Sequence, residues 1–269
     1  MNQNPTIPKI IAALHLPPFP ASGHPDRKMM QEIRAYALRN TEMAVKAGIQ
    51  AMILQDLGDH PVSRSIPSHI IAGMSVIGSW IREDFPDLEI GISLLGHGAR
   101  EPLAIAQAIA AKFVRLKVYV GAMVKAEGLL EGCAAEAIQY RHQIGAEDIA
   151  IFADVYDRTG EPLGRLPLVE EVRQASVFGR ADAVVLTGKS FDETLSMISE
   201  ITSSDLNPPI LIGGGVNVGN VKEALRVADG IIVGSAFKKV GGFTRESMLL
   251  DWDAEKIAEF KQVVRESEL

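Results

Sequence analysis

The sequence predicts an α/β fold, a single-domain TIM (β/α)8 barrel that spans residues 1–269. Short β-rich runs alternate with amphipathic segments eight times, which is typical of parallel strands joined by helices. A chain of 269 residues without a linker or a low-complexity segment has the usual size of one such barrel. The last two predicted strands both end in glycine, and barrels of this class bind phosphate at these two positions.

Eight apolar runs are the predicted strands. They cover residues 9–16, 51–57, 89–95, 113–120, 149–156, 182–188, 209–215 and 229–235. Gly48, Gly145 and Gly179 each follow a helical segment, as expected of the residue just past a helix C-terminus. A last surface helix is predicted over residues 253–266. An open doubly wound sheet is the alternative, because the number of strands does not establish closure.

Composition and charge narrow the functional classes. The formal net charge of -7 does not favour nucleic acid as a partner. Cys133 is the only cysteine, which excludes intrachain disulfides and cysteine-based metal clusters and favours a reducing, cytoplasmic location. No apolar run approaches the roughly 20 residues that cross a bilayer, and no secretory signal is visible. We therefore expect no integral membrane segment.

Strand alternation predicts which side chains enter the barrel. Neighbouring side chains of a strand point to opposite faces, and helices cover the outside of a barrel, so the polar parity is expected to face the interior or its mouth. This inward set is His15, Ser93, Arg115, Lys117, Asp154 and Thr187. In the second strand the parity is ambiguous, because Gln55 and Asp56 are both polar and lie on opposite faces.

Three charged residues of this set carry the candidate chemistry. An unpaired charge is costly inside a protein, so Arg115, Lys117 and Asp154 must compensate one another or a ligand. Catalytic groups of this fold concentrate at the carboxyl ends of strands, and Lys117 and Asp154 lie closer to those ends than Arg115 does. The alternative is a buried ion pair between the fourth and fifth strands without a chemical role.

His15 and two carboxylates complete the candidate catalytic group. His15 ends the first strand and is followed by the rigid pair Pro17-Pro18; the alternative is a core histidine that bonds to the backbone. Asp56 and Asp59 follow the second strand, and Asp59 alternatively caps a turn. With His15 these carboxylates are a weak candidate for a divalent metal, but their spacing matches no specific metal motif. We therefore assign no metal ligand and no cofactor.

Glycines after the last two strands form the candidate phosphate site. Gly213, Gly214 and Gly215 end the seventh strand, and Gly234-Ser235 end the eighth. Backbone N–H groups that no side chain screens, together with the positive end of a following helix, are suited to bind a phosphate. Thr187 and Gly188 end the sixth strand and are expected to add donors. The alternative is a set of tight turns without a ligand.

The segment after the fourth strand is acidic and rich in glycine. Glu127 and Glu131 stand beside Gly128 and Gly132 at the end of the barrel where the active site is expected. This composition suits a mobile loop over the pocket. An exposed turn into the next helix is the equal alternative.

Short phrases along nearly the whole chain resemble the BtpA family, which includes a cyanobacterial factor needed for stable photosystem I and the bacterial SgcQ proteins. The phrases are His15-Leu16-Pro17-Pro18, Gln55-Asp56-Leu57-Gly58-Asp59, Gly121-Ala122, Glu127-Gly128-Leu129-Leu130-Glu131-Gly132, Tyr140-Arg141, Ala153-Asp154-Val155, Thr187-Gly188, Gly213-Gly214-Gly215-Val216, Val233-Gly234-Ser235 and Phe237-Lys238. The resemblance implies the barrel fold and carries over Asp154 and the phosphate site. Family members often have Glu-Asn at Gln55-Asp56, asparagine at Lys117 and serine at Gly214.

Two functions follow as expectations. The first is an enzyme that binds a small phosphorylated metabolite, a sugar phosphate or a nucleotide-derived ribose phosphate, for isomerase, epimerase or lyase chemistry. Asp154 would be the general acid or base, His15 its counterpart, and Lys117 and Arg115 would stabilise developing negative charge. The alternative, which the family resemblance implies, is a non-catalytic assembly or stability factor for a membrane complex such as photosystem I. In either case a homo-oligomer is expected.

Overall fold

A computed structural model describes residues 6–240 and 250–267 of the chain. Its strands are, in chain order, β1 (Ile10–His15), β2 (Ala51–Gln55), β3 (Glu89–Ser93), β4 (Phe113–Leu116), β5 (Ala122–Lys125), β6 (Gly128–Glu131), β7 (Ala150–Val155), β8 (Glu161–Pro162), β9 (Ala183–Leu186), β10 (Ile210–Ile212) and β11 (Gly230–Val233). Its α-helices are α1 (Met30–Lys46), α2 (Ser68–Asp84), α3 (Arg100–Ala108), α4 (Ala134–Gln143), α5 (Leu168–Arg173), α6 (Phe191–Thr202), α7 (Val221–Val227) and α8 (Ala254–Ser267).

Eight parallel strands close into a barrel, which confirms the predicted fold. The order around the barrel is β1-β2-β3-β4-β7-β9-β10-β11. Closure is direct, because β1 pairs with β2 on one side, His15 opposite Gln55, and with β11 on the other, Ile10 opposite Ile231. The open-sheet alternative is therefore wrong. All eight predicted strands are present, and each ends one to four residues earlier than the apolar run.

The barrel interior is apolar below its mouth. Its buried residues are Ile11, Ala13, Ala51, Ile53, Phe113, Ala150, Phe152, Ala183, Val185, Leu211 and Ile232. Phe113 and Phe152 stack at the centre, with ring centroids 4.8 Å apart. Gly91 leaves room for this stack, since a Cβ at that position would lie 2.0 Å from the Phe113 ring. The next inward positions toward the strand C-termini are polar, as the alternation predicts.

Three short strands form a second sheet outside the barrel. β5 and β6 are an antiparallel hairpin in the connection after β4, and β8, from the connection after β7, pairs with β5. The segment expected to be a lid or a turn is therefore a hairpin held by a neighbouring connection. Leu163 N–H also donates to the Ala122 carbonyl at 2.8 Å, which extends the pairing.

The helix expected directly after the eighth strand is replaced by a short turn. Ser235–Phe237 is a single 3-10 turn, too short for the dipole of a helix. α8 confirms the predicted last helix and packs beside α1 and α7. Asn40 on α1 holds the segment before α8, because its amide donates to Asp251 at 2.9 Å and accepts the Trp252 N–H at 2.6 Å.

Within the part of the chain that the structure describes, no helix is long and apolar enough to cross a membrane.

We predict that Gly91→Ala lowers the free energy of unfolding by about 1–3 kcal/mol, because the added methyl group overpacks the barrel centre. The measurement is the midpoint of urea unfolding. Gly23→Ala is the control: the nearest atom to its Cβ is Pro61 Cδ at 3.7 Å, an ordinary contact. Equal midpoints for the two variants would mean that the Phe113 ring moves aside without cost.

Candidate active site

A cavity of about 340 Å³ opens at the carboxyl ends of the barrel strands. Its polar lining from the strand ends comprises His15, Gln55, Ser93, Arg115, Lys117, Asp154 and Thr187. The connections after β10 and β11 add residues 213–215 and 234–235, and the hairpin tip adds residues 125–127. The cavity thus brings together most of the residues that the sequence predicted. Asp56, Gly188 and Glu131 do not line it.

Arg115 and Asp154 form a bidentate ion pair in the cavity wall. The guanidinium donates from Nε to both carboxylate oxygens at 3.2 and 3.1 Å and from Nη2 to Oδ1 at 2.9 Å. The side chains are only 14% and 4% exposed, so the pair is shielded from water. Burial raises the pKa of Asp154, and the adjacent guanidinium opposes that rise. The ion pair therefore exists, as the structural alternative proposed, and it also faces the cavity.

His15 faces the cavity as a neutral imidazole. Burial, followed by the positive charges of Lys238 and Arg115, lowers its pKa to about 3, although a hydrogen bond to the Gln55 side chain acts in the other direction. At neutral pH the ring therefore carries no extra proton. It suits a hydrogen-bonding role, because with so low a pKa the imidazolium acid is not available there and the neutral ring is a weak base.

Gln55, rather than Asp56, is the residue of the ambiguous pair that enters the cavity. The Asp56 carboxylate accepts the Leu95 N–H at 2.7 Å and so holds the connection after β3. Burial raises the pKa of Asp56 to about 6. Asp59 accepts the Phe19 N–H at 3.2 Å and thus orders the connection after β1. Both aspartates support the walls of the site from outside it.

The glycines after β10 differ from one another. Gly213 N–H donates to the Leu186 carbonyl at 3.0 Å, so it belongs to the sheet. A side chain at Gly213 is excluded sterically, since its Cβ would lie 2.1 Å from Thr187 Oγ1. Gly215 has a φ of +82°, which favours glycine. Among residues 6–240 and 250–267, no acceptor bonds to the N–H of Gly214 or Gly215.

The end of β11 presents a second pair of backbone donors. No acceptor in the described ranges bonds to the N–H of Gly234 or Ser235, and both residues line the cavity. Gly188 differs, because its N–H donates to Thr194 Oγ1 at 2.9 Å. Residues 214–215 and 234–235 are thus the predicted donors whose N–H groups have no acceptor in the described structure, and their phosphate-binding role stays a prediction.

Thr187 adds a hydroxyl to these donors. The residue is 9% exposed, and its Oγ1 is buried without a hydrogen-bond partner in the part of the chain that the structure describes. An unsatisfied buried hydroxyl costs free energy unless a ligand completes it.

The hairpin and the connection after β7 contribute charged groups that the sequence analysis missed. Lys125 Nζ lies 2.5 Å from Asp157 Oδ2 and 2.6 Å from Thr159 Oγ1. Burial acts to raise the pKa of Asp157, but the charge and hydrogen bond of Lys125 and the hydrogen bonds from the Thr159 N–H and hydroxyl lower it to about 2. Arg158 is exposed, and its Nη2 would lie 3.7 Å from a Cβ on Gly214. The run Asp157-Arg158-Thr159 directly after the fifth barrel strand was the available signal.

Glu127 and Glu131 occupy different places on the hairpin. Glu127 lies at the tip and lines the cavity, whereas Glu131 on β6 has an exposed side chain. The Glu131 carbonyl is 2.7 Å from His97 Nε2, a contact that ties the hairpin to the connection after β3. In the described ranges, no three or more His, Cys, Asp or Glu side chains are grouped so that they could hold a metal ion.

The closed barrel and its polar cavity define a (β/α)8-barrel protein with its candidate site at the carboxyl ends of the strands. The chain belongs to the BtpA family, whose model matches residues 6–266.

Relatives resemble the chain over most of its length. An uncharacterized protein of Pyrococcus horikoshii is 30% identical over 261 residues, which cover 96% of this chain and 97% of the relative. The photosystem I biogenesis protein BtpA of Synechocystis sp. is 29% identical over 235 residues, which cover 86% and 81%. These matches agree with the family resemblance seen in the sequence.

Solved structures with the same fold are more distant. A native KDPGal structure has a TM-score of 0.57 at 15% identity and covers 100% of this chain and 99% of its own. N-(5'-phosphoribosyl)anthranilate isomerase from Pyrococcus furiosus has a TM-score of 0.54 at 14% identity and covers 97% and 100%. At these identities the likeness concerns the fold alone.

The buried neutral His15 predicts a pH dependence of stability. Its pKa falls from 6.5 to about 3 on folding, so the unfolded chain binds a proton that the folded protein does not. Stability from this residue is therefore present above pH 6.5 and lost as the pH falls toward 3. The loss is at most about 1.4 kcal/mol per pH unit.

The measurement compares urea unfolding of wild type and His15→Gln between pH 6.5 and 4.5. We expect the wild type to lose stability more steeply than the variant. Asp56 contributes with the opposite sign, because its raised pKa lets the folded state take up a proton below about pH 6. This contribution is common to both proteins and cancels in the difference. Parallel curves would show that His15 is protonated equally in both states.

Proposed function

We propose that the protein is an enzyme that binds a small phosphorylated metabolite, a sugar phosphate or a nucleotide-derived ribose phosphate, and catalyses isomerase, epimerase or lyase chemistry by acid–base catalysis. One observation carries the proposal. Four backbone N–H groups and one buried hydroxyl, each without an acceptor among the described residues, belong to residues that line the same cavity as the Arg115–Asp154 ion pair.

A phosphate group would satisfy these donors together. Gly214 and Gly215 follow β10, and Gly234 and Ser235 follow the adjacent β11, so their N–H groups belong to neighbouring strand ends. Converging backbone donors of this kind form an anion-binding concavity. Thr187, on the other neighbour of β10, would donate its hydroxyl. Arg158 would add positive charge beside Gly214, since its Nη2 would lie 3.7 Å from a Cβ at that position.

The polar side chains beside these donors would act on the carbon skeleton. With the phosphate held by the backbone donors, its binding energy would orient the rest of the substrate. Asp154 would remove or return a proton, and burial, which raises its pKa, favours proton uptake by the carboxylate. Arg115 would keep the carboxylate in place and stabilise negative charge that develops nearby. Neutral His15 would hydrogen-bond to a substrate oxygen.

The alternative function, an assembly factor for a membrane complex, is supported only by the name of the Synechocystis relative. That name describes the relative and not this chain. No surface among the described residues favours this role over an enzyme, so the cavity carries the proposal.

Isothermal calorimetry with inorganic phosphate and a panel of sugar phosphates and nucleotides tests the binding site. We expect at least one phosphorylated compound to bind the wild type. In Gly234→Asp the dissociation constant is expected to rise more than about tenfold, because a carboxylate would face the phosphate. Gly145→Asp is the matched control. It adds the same charge before β7, at the opposite end of the barrel, at a φ of +64° that aspartate adopts more readily than most residues. Thermal unfolding verifies that this variant is folded. Equal binding by both variants would contradict the proposal.

Thr187→Val separates a ligand role from a structural one. Removal of an unsatisfied hydroxyl is expected to leave the free energy of unfolding unchanged or to raise it by up to about 1–3 kcal/mol, while phosphate binding weakens about tenfold. The measurements are urea unfolding and calorimetry. Thr194→Val is the contrast, because that hydroxyl bonds to both Gly188 and Ser190 and its loss should destabilise the fold. Lower stability with unchanged binding in Thr187→Val would assign the hydroxyl to the fold.

A further inference from the structure

Two lysines at the barrel mouth have different surroundings. Lys125 forms a 2.5 Å ion pair with Asp157. Lys117 also lines the cavity, but its Nζ donates to the Leu95 backbone carbonyl at 2.7 Å. Within residues 6–240 and 250–267, no carboxylate oxygen lies within 4.0 Å of Lys117 Nζ. The chain thus pairs one lysine with a carboxylate and leaves the other with a neutral acceptor.

The carboxylates near Lys117 are engaged elsewhere. Each carboxylate accepts a hydrogen bond from another group: Asp56 from the Leu95 N–H, Asp154 from the Arg115 guanidinium, and Asp157 from the Lys125 ammonium. Each of the three still attracts a proton to Lys117 electrostatically, but none supplies a direct contact. His97, from the connection after β3, is a further titratable neighbour, and its pKa is itself lowered, mainly by burial.

These surroundings favour the neutral amine. Burial lowers the pKa of Lys117, and the charge of Lys125 lowers it further, against the three aspartates. Each unit by which a lysine pKa falls raises the neutral fraction at pH 7 about tenfold. A desolvated lysine beside a second cation is a recognised arrangement for an activated amine nucleophile.

The cavity also places Lys117 across from the glycine donors. Arg115, two residues before Lys117 and on β4, reaches across the barrel to within 3.5 Å of the Gly213 carbonyl oxygen. The interior distance between β4 and β10 is therefore about the length of one arginine side chain. A cavity of about 340 Å³ has room for a ligand of a few carbons between the two walls.

We propose that Lys117 is a covalent nucleophile that forms a Schiff base with the carbonyl group of a small phosphorylated aldehyde or ketone. This role rests on the proposed function and narrows its substrate class. It replaces the electrostatic role that the sequence suggested for Lys117.

The step balances with solvent as the proton donor. Lys117 Nζ attacks the carbonyl carbon, and the carbonyl electron pair moves to oxygen, which takes up a proton as the nitrogen loses one. The resulting carbinolamine hydroxyl accepts a further proton and leaves as water, and a protonated imine remains. No oxidant or reductant is required. The imine would withdraw electrons from the neighbouring carbon–hydrogen or carbon–carbon bond, which suits the isomerase, epimerase and lyase classes.

Trapping with pyridoxal 5'-phosphate and borohydride tests the proposal. This probe is itself a phosphorylated aldehyde, and borohydride reduction fixes its Schiff base for peptide mass spectrometry. We expect modification chiefly at Lys117, its loss in Lys117→Arg, and protection by inorganic phosphate. Lys189→Met is the matched control, because Lys189 is exposed at the same end of the barrel and does not line the cavity. Thermal unfolding verifies that Lys117→Arg is folded.

A second probe removes the dependence on the shape of pyridoxal phosphate. Formaldehyde with a mild hydride donor methylates neutral amines, and at pH 7 Lys117 is expected to react faster than Lys125 and Lys189. If neither probe modifies Lys117 ahead of these two lysines, the nucleophile proposal is overturned even where calorimetry shows phosphate binding. If both probes modify Lys117 but phosphate gives no protection, the nucleophile stands and the phosphate site fails. The two proposals therefore fail separately.

Discussion

The ion pair between Arg115 and Asp154 organises the mouth of the barrel. It joins β4 to β7 above the stacked phenylalanines and lies where the apolar interior gives way to polar groups. Because both groups are buried, neither can leave without exposing an uncompensated charge. The guanidinium also contacts the Gly213 carbonyl, so the Arg115 side chain connects the ends of β4, β7 and β10. The cavity above depends on this layer for its floor and for much of its charge.

The alternation of side chains along the strands predicted the polar residues at the base of the cavity, because side-chain direction repeats every two residues in a strand. Within a barrel, burial on both faces leaves polar residues only at the inward ends, so His15, Arg115 and Asp154 were identifiable from the sequence. Lys117 lies one residue past the end of β4 and still faces the cavity. Asp56 also lies one residue past its strand, yet its carboxylate turns to the Leu95 N–H. Parity decides orientation inside a strand, and local hydrogen bonds decide it beyond the last ladder pair.

The three consecutive glycines at 213–215 also show that sequence pattern does not predict the roles of residues beyond the end of a strand. The sequence treats them alike, but Gly213 serves close packing against Thr187, whereas Gly214 and Gly215 leave donors without acceptors in the described structure. The charged pair Lys125 and Asp157 escaped prediction because its partners come from different connections. No periodic signal links residues 32 positions apart in two loops. Such contacts follow from topology, which places the ends of β4 and β7 side by side.

The sheet that β5, β6 and β8 share constrains how the two connections can change during evolution. (β/α)8 barrels support different chemistries through variation of their loops on a constant scaffold. Here the connection after β4 supplies two strands and the connection after β7 the third, with Lys125 and Asp157 cross-linking them. A change of length in either connection would disturb the pairing between β5 and β8. These two connections are therefore expected to vary together among related proteins and to be transferable to another barrel only as a pair.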